Sequence, residues 1–177
     1  MENQRVRLSK TMLKNALIEL LRTKSLEKIT IYELCNVAQI NRTTFYKYYG
    51  NQYDLLSDIE NDIFSELNEN LLAPNRMDLA MLSDVIEYLE ADRDKWRILI
   101  NSVDDQAFIN KLFALPRIHE MVRENAPMQY SERMEEYVRL FYCQGGYAII
   151  RKWLNDENPE SPAEIAALLI SLVSRVV

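Results

Sequence analysis

The chain has 177 residues and a mass of 20.9 kDa, with 48% hydrophobic and 27% charged side chains, enough for one core or for a small head joined to a larger body. Three glycines and five prolines are too few for the repeated turns of a sandwich or barrel, and two distant cysteines with one histidine, His119, exclude a disulfide framework, a zinc spacing and a multi-histidine metal centre. The N-terminus has no signal-peptide core and no apolar run reaches membrane-spanning length, so the expectation is a cytoplasmic, mostly helical protein without a membrane partner. The net charge of -6 hides a polarity: residues 1–53 carry nine Lys/Arg against four acids, or +5, and the remainder carries -11. A chain basic at one end and acidic elsewhere approaches a polyanion head first.

Leu13, Ala16, Leu17, Leu20 and Leu21 form one apolar stripe of a helix from about Lys10 to Arg22. Thr30 followed by Glu33 is a capping box, and it predicts a second, short helix that buries Ile31, Leu34, Cys35 and Ala38. Gln39-Ile40-Asn41 interrupts the pattern, and Asn41 starts a third helix running to about Tyr48. Gly50-Asn51 separates it from a longer helix with the stripe Leu55, Ile59, Ile63 and Leu67. Beyond a break at Ala73-Pro74-Asn75, Leu79, Leu82, Ile86 and Leu89 mark a fifth helix, and Asp94 is the candidate cap of a sixth with Trp96, Leu99 and Ile100. A seventh begins near Asp105 and meets Pro116, which must kink or split it. After Asn125-Ala126-Pro127, a long helix spans about Ser131 to Asn155. Ser161-Pro162-Ala163-Glu164 then starts the last one with a capping box and proline at its first position. Eight or nine helices and no sheet are expected.

Two short helices joined by a three-residue turn and preceded by a supporting helix form a helix-turn-helix. The second of the pair, Arg42-Thr43-Thr44-Phe45-Tyr46-Lys47-Tyr48-Tyr49, places Phe45 and Tyr49 four apart toward a core. Its other faces carry hydroxyls and cations, which donate to phosphate oxygens and, from Thr and Arg, reach base edges.

Through ITIYELCNVAQINRTTFYKYYGNQYDLL the chain resembles the TetR family of bacterial transcriptional regulators, from about Arg7 to Leu67. Thr30, Ala38, Thr44, Tyr46, Tyr48, Tyr49, Asp54, Leu55 and Leu56 occupy the positions of the family pattern. Three departures stand out: Gln39 where the turn often has glycine, Gln52 where lysine often precedes the acid-Leu-Leu, and Tyr53 where an acid is common. The resemblance implies an all-α homodimer on double-stranded DNA, with a head over residues 6–67 and an effector-binding, dimerising body over 68–177. It further implies a repressor that reads a pseudo-palindrome and is released by a small-molecule effector. The rival reading is an adaptor or coactivator of the same fold that works through a protein partner.

By position, Thr43 and Thr44 are candidates for base contact and Arg42 for base or phosphate, while Tyr46, Lys47 and Thr30 suit phosphate. Tyr48 reads either as a phosphate donor or as a packing aromatic. Arg5 and Arg7 read as a minor-groove arm or a loose basic tail. In the body, Trp96, Phe108, Phe113, Phe141 and Tyr142 are candidate effector-pocket residues, with core packing the alternative. The resemblance assigns Ile149, Trp153, Leu168, Leu169, Leu172 and Val176 to a dimer interface. Cys35 and Cys143 read as packing residues. Gly145-Gly146 suggests a close helix approach or room for a ligand. The chain shows no nucleophile–base pair, phosphate loop or metal spacing, so neither catalysis nor a cofactor is expected.

Overall fold

The computed structural model describes residues 4–71, 79–102, 105–113 and 131–174. Among them are nine α-helices and no strand: α1 (Gln4–Leu21), α2 (Ile31–Val37), α3 (Arg42–Phe45), α4 (Gln52–Glu66), α5 (Leu79–Ala91), α6 (Arg93–Ile100), α7 (Asp105–Phe113), α8 (Glu132–Asn155) and α9 (Pro162–Ser174). The expected breaks at 73–75 and 125–127, Pro116, His119 and Val176 lie outside the described residues. Two compact units divide the chain: Met1–Ile63 with Ile98–Val103, and Phe64–Arg97 with Asp104–Val177.

In the first unit, α1 buries Leu13, Ala16, Leu17 and Leu21 of its stripe, with Leu20 half-buried. It starts at Gln4 rather than Lys10, so Arg5 and Arg7 are exposed helix residues, not an extended arm. The stretch from Gln4 to Leu8 contains no glycine or proline to end the helix, and Ser9 Oγ donates back to the Arg5 carbonyl at 2.9 Å. Thr30 caps α2 in a complete capping box: the Glu33 N–H donates to Thr30 Oγ1 at 3.2 Å, and the Thr30 N–H to Glu33 Oε2 at 3.1 Å.

The turn after α2 is a Schellman motif. The Ile40 N–H donates to the Cys35 carbonyl at 2.9 Å and the Gln39 N–H to that of Asn36 at 3.2 Å. This geometry puts the residue after the cap in the left-handed region, and Gln39 has φ 56°. The motif thus keeps the backbone that glycine usually supplies, with a side chain that disfavours it. Asn41 then caps α3 by accepting the Thr43 N–H at 2.8 Å. The helix is shorter than expected, because beyond Phe45 the bonds tighten to i→i+3, from Lys47 to Thr44 and from Tyr48 to Phe45.

Asn51 Oδ1 accepts the N–H groups of Tyr53 and Asp54, capping α4. Leu55, Ile59, Ile63 and Leu67 are all buried, the last in a π-helical turn, Leu67–Leu71. In the second unit α9 packs along α5, burying Ile165, Ala166 and Leu169, and α7 packs on α8. α6 begins at Arg93, with the Trp96 N–H bonded to the Asp92 carbonyl, so Asp94 lies in the first turn instead of capping it. α9 starts as its sequence predicts: Ser161 Oγ and N–H donate to Glu164 Oε2 at 2.6 and 2.9 Å.

Gln39→Gly relieves the left-handed strain and is expected to stabilise the protein by about 0.5–1 kcal/mol, a rise in Tm of roughly 1–4 °C. Gln39→Val is expected to lower it. Thermal melts of the two variants check the sign in each direction.

Candidate nucleic-acid interface

The segment 42–49 is built on two buried aromatic rings. Phe45 and Tyr49 point inward with centroids 5.7 Å apart, and Tyr46 and Tyr48 meet them edge-on at 5.5 and 6.3 Å. With those two anchored, Arg42, Thr43, Tyr46 and Lys47 are exposed, while Thr44 and Tyr48 are half-buried. Tyr48 therefore has both a packing contact and an accessible part. Neither Arg42 nor Lys47 pairs with an acid among the described residues, so both charges face outward unneutralised. Thr30, at the start of α2, is exposed, but it gives its hydroxyl proton to Glu33 Oε2 at 2.9 Å and its N–H to the same oxygen. Cys35 is buried as its stripe requires, and burial pushes its thiol up against a smaller opposing pull from Arg42.

The segment's far end is tied to α4 and α1. Tyr49 OH donates to Asp58 Oδ2 at 2.7 Å, and Lys14 Nζ approaches the same oxygen at 2.9 Å and Asp62 Oδ2 at 2.5 Å. Partial burial by itself raises the Asp58 pKa. The Tyr49 and Lys14 bonds outweigh it, and the carboxyl titrates below its ordinary range. The acid-Leu-Leu sequence has a local explanation as well: Asp54 Oδ2 accepts the Gly50 N–H at 2.8 Å, and Leu55 and Leu56 are buried.

Two exposed aromatics were not among the candidate contact residues. Tyr32 on α2 is 64% exposed, and Tyr53 at the start of α4 is exposed too. Tyr32 was findable, since it lies off the Leu34, Cys35, Ala38 stripe and a tyrosine on a solvent face offers a free hydroxyl.

In the second unit the candidate pocket residues do not converge on one cavity among those described. Trp96 is buried edge-on to Tyr88 at 5.5 Å, and Phe108 stacks between Phe64 and Tyr147 at 5.1 and 6.1 Å. Phe141 is 68% exposed on α8, with Tyr142 beside it half-buried, and Phe113 is the last residue of α7. A groove of about 440 Å³ lies instead between α7 and α8, lined by Ile109, Tyr137, Leu140 and Cys143 with Arg133, Arg139 and Glu136. Burial drives the Cys143 thiol up to about 12, against an opposing pull from Arg139, so it is a neutral wall residue.

Of the candidate interface residues, Trp153 belongs to the core of the second unit. Its Nε1–H donates to the Glu160 carbonyl at 2.8 Å and Arg93 lies over its ring at 4.5 Å. Leu169 is buried and Ile149 half-buried, whereas Leu168 and Leu172 are 43% and 46% exposed. Gly145 and Gly146 have nothing within 4 Å of where a Cβ would stand among the described residues, so no described group requires them. No group of metal-ligating residues and no helix long and apolar enough to cross a membrane occurs among the described residues.

A capped helix-turn-helix with an outward row of hydroxyls and unpaired cations, followed by a helical second unit, defines the DNA-binding class of helical regulators. The family model described as a transcriptional regulator C-terminal region, of the TetR type, matches residues 79–175. The chain belongs to the TetR family of transcriptional regulators. The uncharacterized HTH-type transcriptional regulator YxbF of Bacillus subtilis (strain 168) is 24% identical over 170 residues, covering 92% of this chain and 44% of the relative. The chain thus spans less than half the length of that relative. A TetR transcriptional regulator from Streptococcus agalactiae 2603V shares the fold at a TM-score of 0.77 and 20% identity, over 97% of each chain. The Thermus thermophilus repressor FadR, solved in complex with lauroyl-CoA, does so at 0.60 and 19%, over 95% of each.

Glu33 supplies a pH test of the head. Hydrogen bonds from Lys24 and from the Thr30 backbone and hydroxyl lower its pKa from 4.5 to about 2. A depressed carboxyl stabilises the fold above its unfolded pKa, and that contribution is lost as pH falls through the folded value. Compared with Glu33→Gln, the wild type is expected to melt higher above about pH 5, with the gap closing by about pH 2. A melting series of both proteins reads it.

Proposed function

We propose that the protein is a homodimeric repressor, acting in the cytoplasm, whose heads (residues 6–67) read a pseudo-palindromic operator and whose bodies (68–177) pair and bind an effector. The observation that carries this reading is the outward row Arg42, Thr43, Tyr46 and Lys47, fixed by the buried rings of Phe45 and Tyr49. Thr43 and Thr44 take base-edge roles and Arg42 a base or flanking phosphate. Tyr46, Lys47 and Tyr48 hold phosphates, with Thr30 at the margin of the contact. Four residues of α3 form a short reading element, so half-sites repeated by a twofold axis supply the affinity that one head lacks.

Pairing of the bodies is supported by apolar side chains that the protomer leaves in solvent: Met134, Tyr137 and Phe141 on α8, and Leu168 and Leu172 on α9. The first three recur at i, i+3 and i+7, and Gly145 and Ala148 continue their face. A bare backbone there lets another helix come close, which offsets the cost of a mid-helix glycine, about 1 kcal/mol relative to alanine. Effector binding is supported by the groove between α7 and α8; of the aromatic candidates, Phe108 and Phe113 lie on α7, Phe141 and Tyr142 on α8, and Trp96 on α6. A ligand that favours a head spacing mismatched to the operator lowers DNA affinity by linkage. The acyl-CoA held by the Thermus thermophilus repressor is a precedent for such a ligand in this fold.

Selection from random duplexes with the purified protein is expected to return an inverted repeat. On that duplex Thr44→Ala relaxes base preference at one position per half-site by about 1–3 kcal/mol, while Lys47→Ala reduces the salt slope by about one unit per head. Absence of any motif, with binding gone at physiological salt, removes the DNA-reading proposal and favours a protein partner. For the interface, Leu172→Glu is expected to leave the helical content intact while sedimentation shows a monomer. An unchanged dimer would place the contact elsewhere.

A further inference from the structure

Asp58 lies on α4, outside the outward row, yet it accepts the hydroxyl of Tyr49, two residues beyond Lys47. The Tyr49 ring is already buried, and its packing on Phe45 alone would hold the hydrophobic contact. A phenylalanine would fill the same space. The hydroxyl adds direction: at 2.7 Å from Asp58 Oδ2 it fixes the rotation of Tyr49 about α4. Tyr48 is bonded to Tyr49 in the chain and meets it edge-on at 6.3 Å, and Phe45, the one buried residue of α3, meets it at 5.7 Å. Lys14 from α1 holds the receiving oxygen in place by a 2.9 Å ion pair, with its ammonium also on Asp62 and, at 3.4 Å, on the Asp58 carbonyl.

We infer that Asp58 and Tyr49 are positioning residues for DNA recognition, setting the orientation of the segment 42–48 before it meets the duplex. The role rests on the DNA-reading proposal. A four-residue helix followed by a tightened turn has few internal bonds to hold its own orientation. An ionic hydrogen bond at its end supplies what length does not. Binding then loses less conformational freedom, because the segment is ordered in the free protein.

The test uses the full chain and the duplex won by selection. Tyr49→Phe keeps the ring and removes one bond, and Asp58→Asn keeps the shape and removes the charge. Each is expected to weaken operator binding by about tenfold, the equivalent of one charged hydrogen bond. The salt slope should stay unchanged, because no phosphate contact is deleted. In the DNA-free protein, amide exchange of residues 46–49 should quicken while that of α1 and α9 does not. A purely structural role would lower Tm yet leave affinity and these amides as they were, and that result overturns the inference. Equal binding by wild type and Tyr49→Phe overturns it too, with DNA reading left standing. If the wild type selects no duplex, DNA reading itself falls and this role falls with it, so the wild-type result tells the two failures apart.

Discussion

One carboxylate oxygen, Asp58 Oδ2, receives both the Tyr49 hydroxyl and the Lys14 ammonium, and the arrangement of the head depends on that junction. The Lys14 side chain is only 15% exposed, so its charge is tolerable there because two carboxylates and a carbonyl surround it. Three elements thereby meet in one polar contact: the supporting helix, the end of the reading segment and the helix that continues toward the body. Around it the core is apolar and non-directional, and Leu13, Leu17, Leu34, Phe45 and Leu55 are fully buried. Burial of this kind fixes that the helices pack, but leaves latitude in their rotation. The directional bonds remove the latitude where recognition needs it least.

Much of the head was legible because its determinants are local. Thr30 and Glu33 are three residues apart, Asn41 caps two residues ahead, and the α4 stripe repeats every four residues. Each follows from backbone geometry alone. Even the conflict at Gln39 could be read, since a turn that needs positive φ was expected where no glycine stands. The junction at Asp58 was not legible: its partners lie 9 and 44 residues away, and no local rule links a carboxylate to a distant lysine. The early end of α3 was equally hidden, as nothing in Tyr46-Lys47-Tyr48 distinguishes an α-helical turn from a tighter one.

In the body, apolar periodicity revealed helices but not which of two faces each apolar residue serves. On α8, Met134, Tyr137, Phe141, Gly145, Ala148 and Lys152 are exposed at steps of three or four. Trp153 falls one residue, or about 100°, off that line, and this rotation takes it into the core of the second unit. There its indole N–H and ring are both satisfied, by the Glu160 carbonyl and by Arg93. An interface deduced from hydrophobicity alone merges the two faces, and only burial separates them. Phe141 and Trp153 look equivalent in sequence and play opposite parts: one is left to solvent, the other closes the core.

The same distinction governs the charges. A head of +5 is a sum over groups that are not all left unpaired. Lys14 pairs with Asp58 and Asp62, Lys24 with Glu33, and Arg22 with Glu19, so these cations are compensated within the fold. At physiological salt the Debye length is about 8 Å, and a phosphate responds to the groups beside it more than to the total. Arg42 and Lys47 are in the exposed row and have no acid partner among the described residues, so their field reaches outward undiminished. The acidic remainder of the chain then does not cancel attraction at the reading segment. Under the proposed DNA reading it biases which end approaches a polyanion, whereas the two outward cations and the hydroxyls between them act on contact.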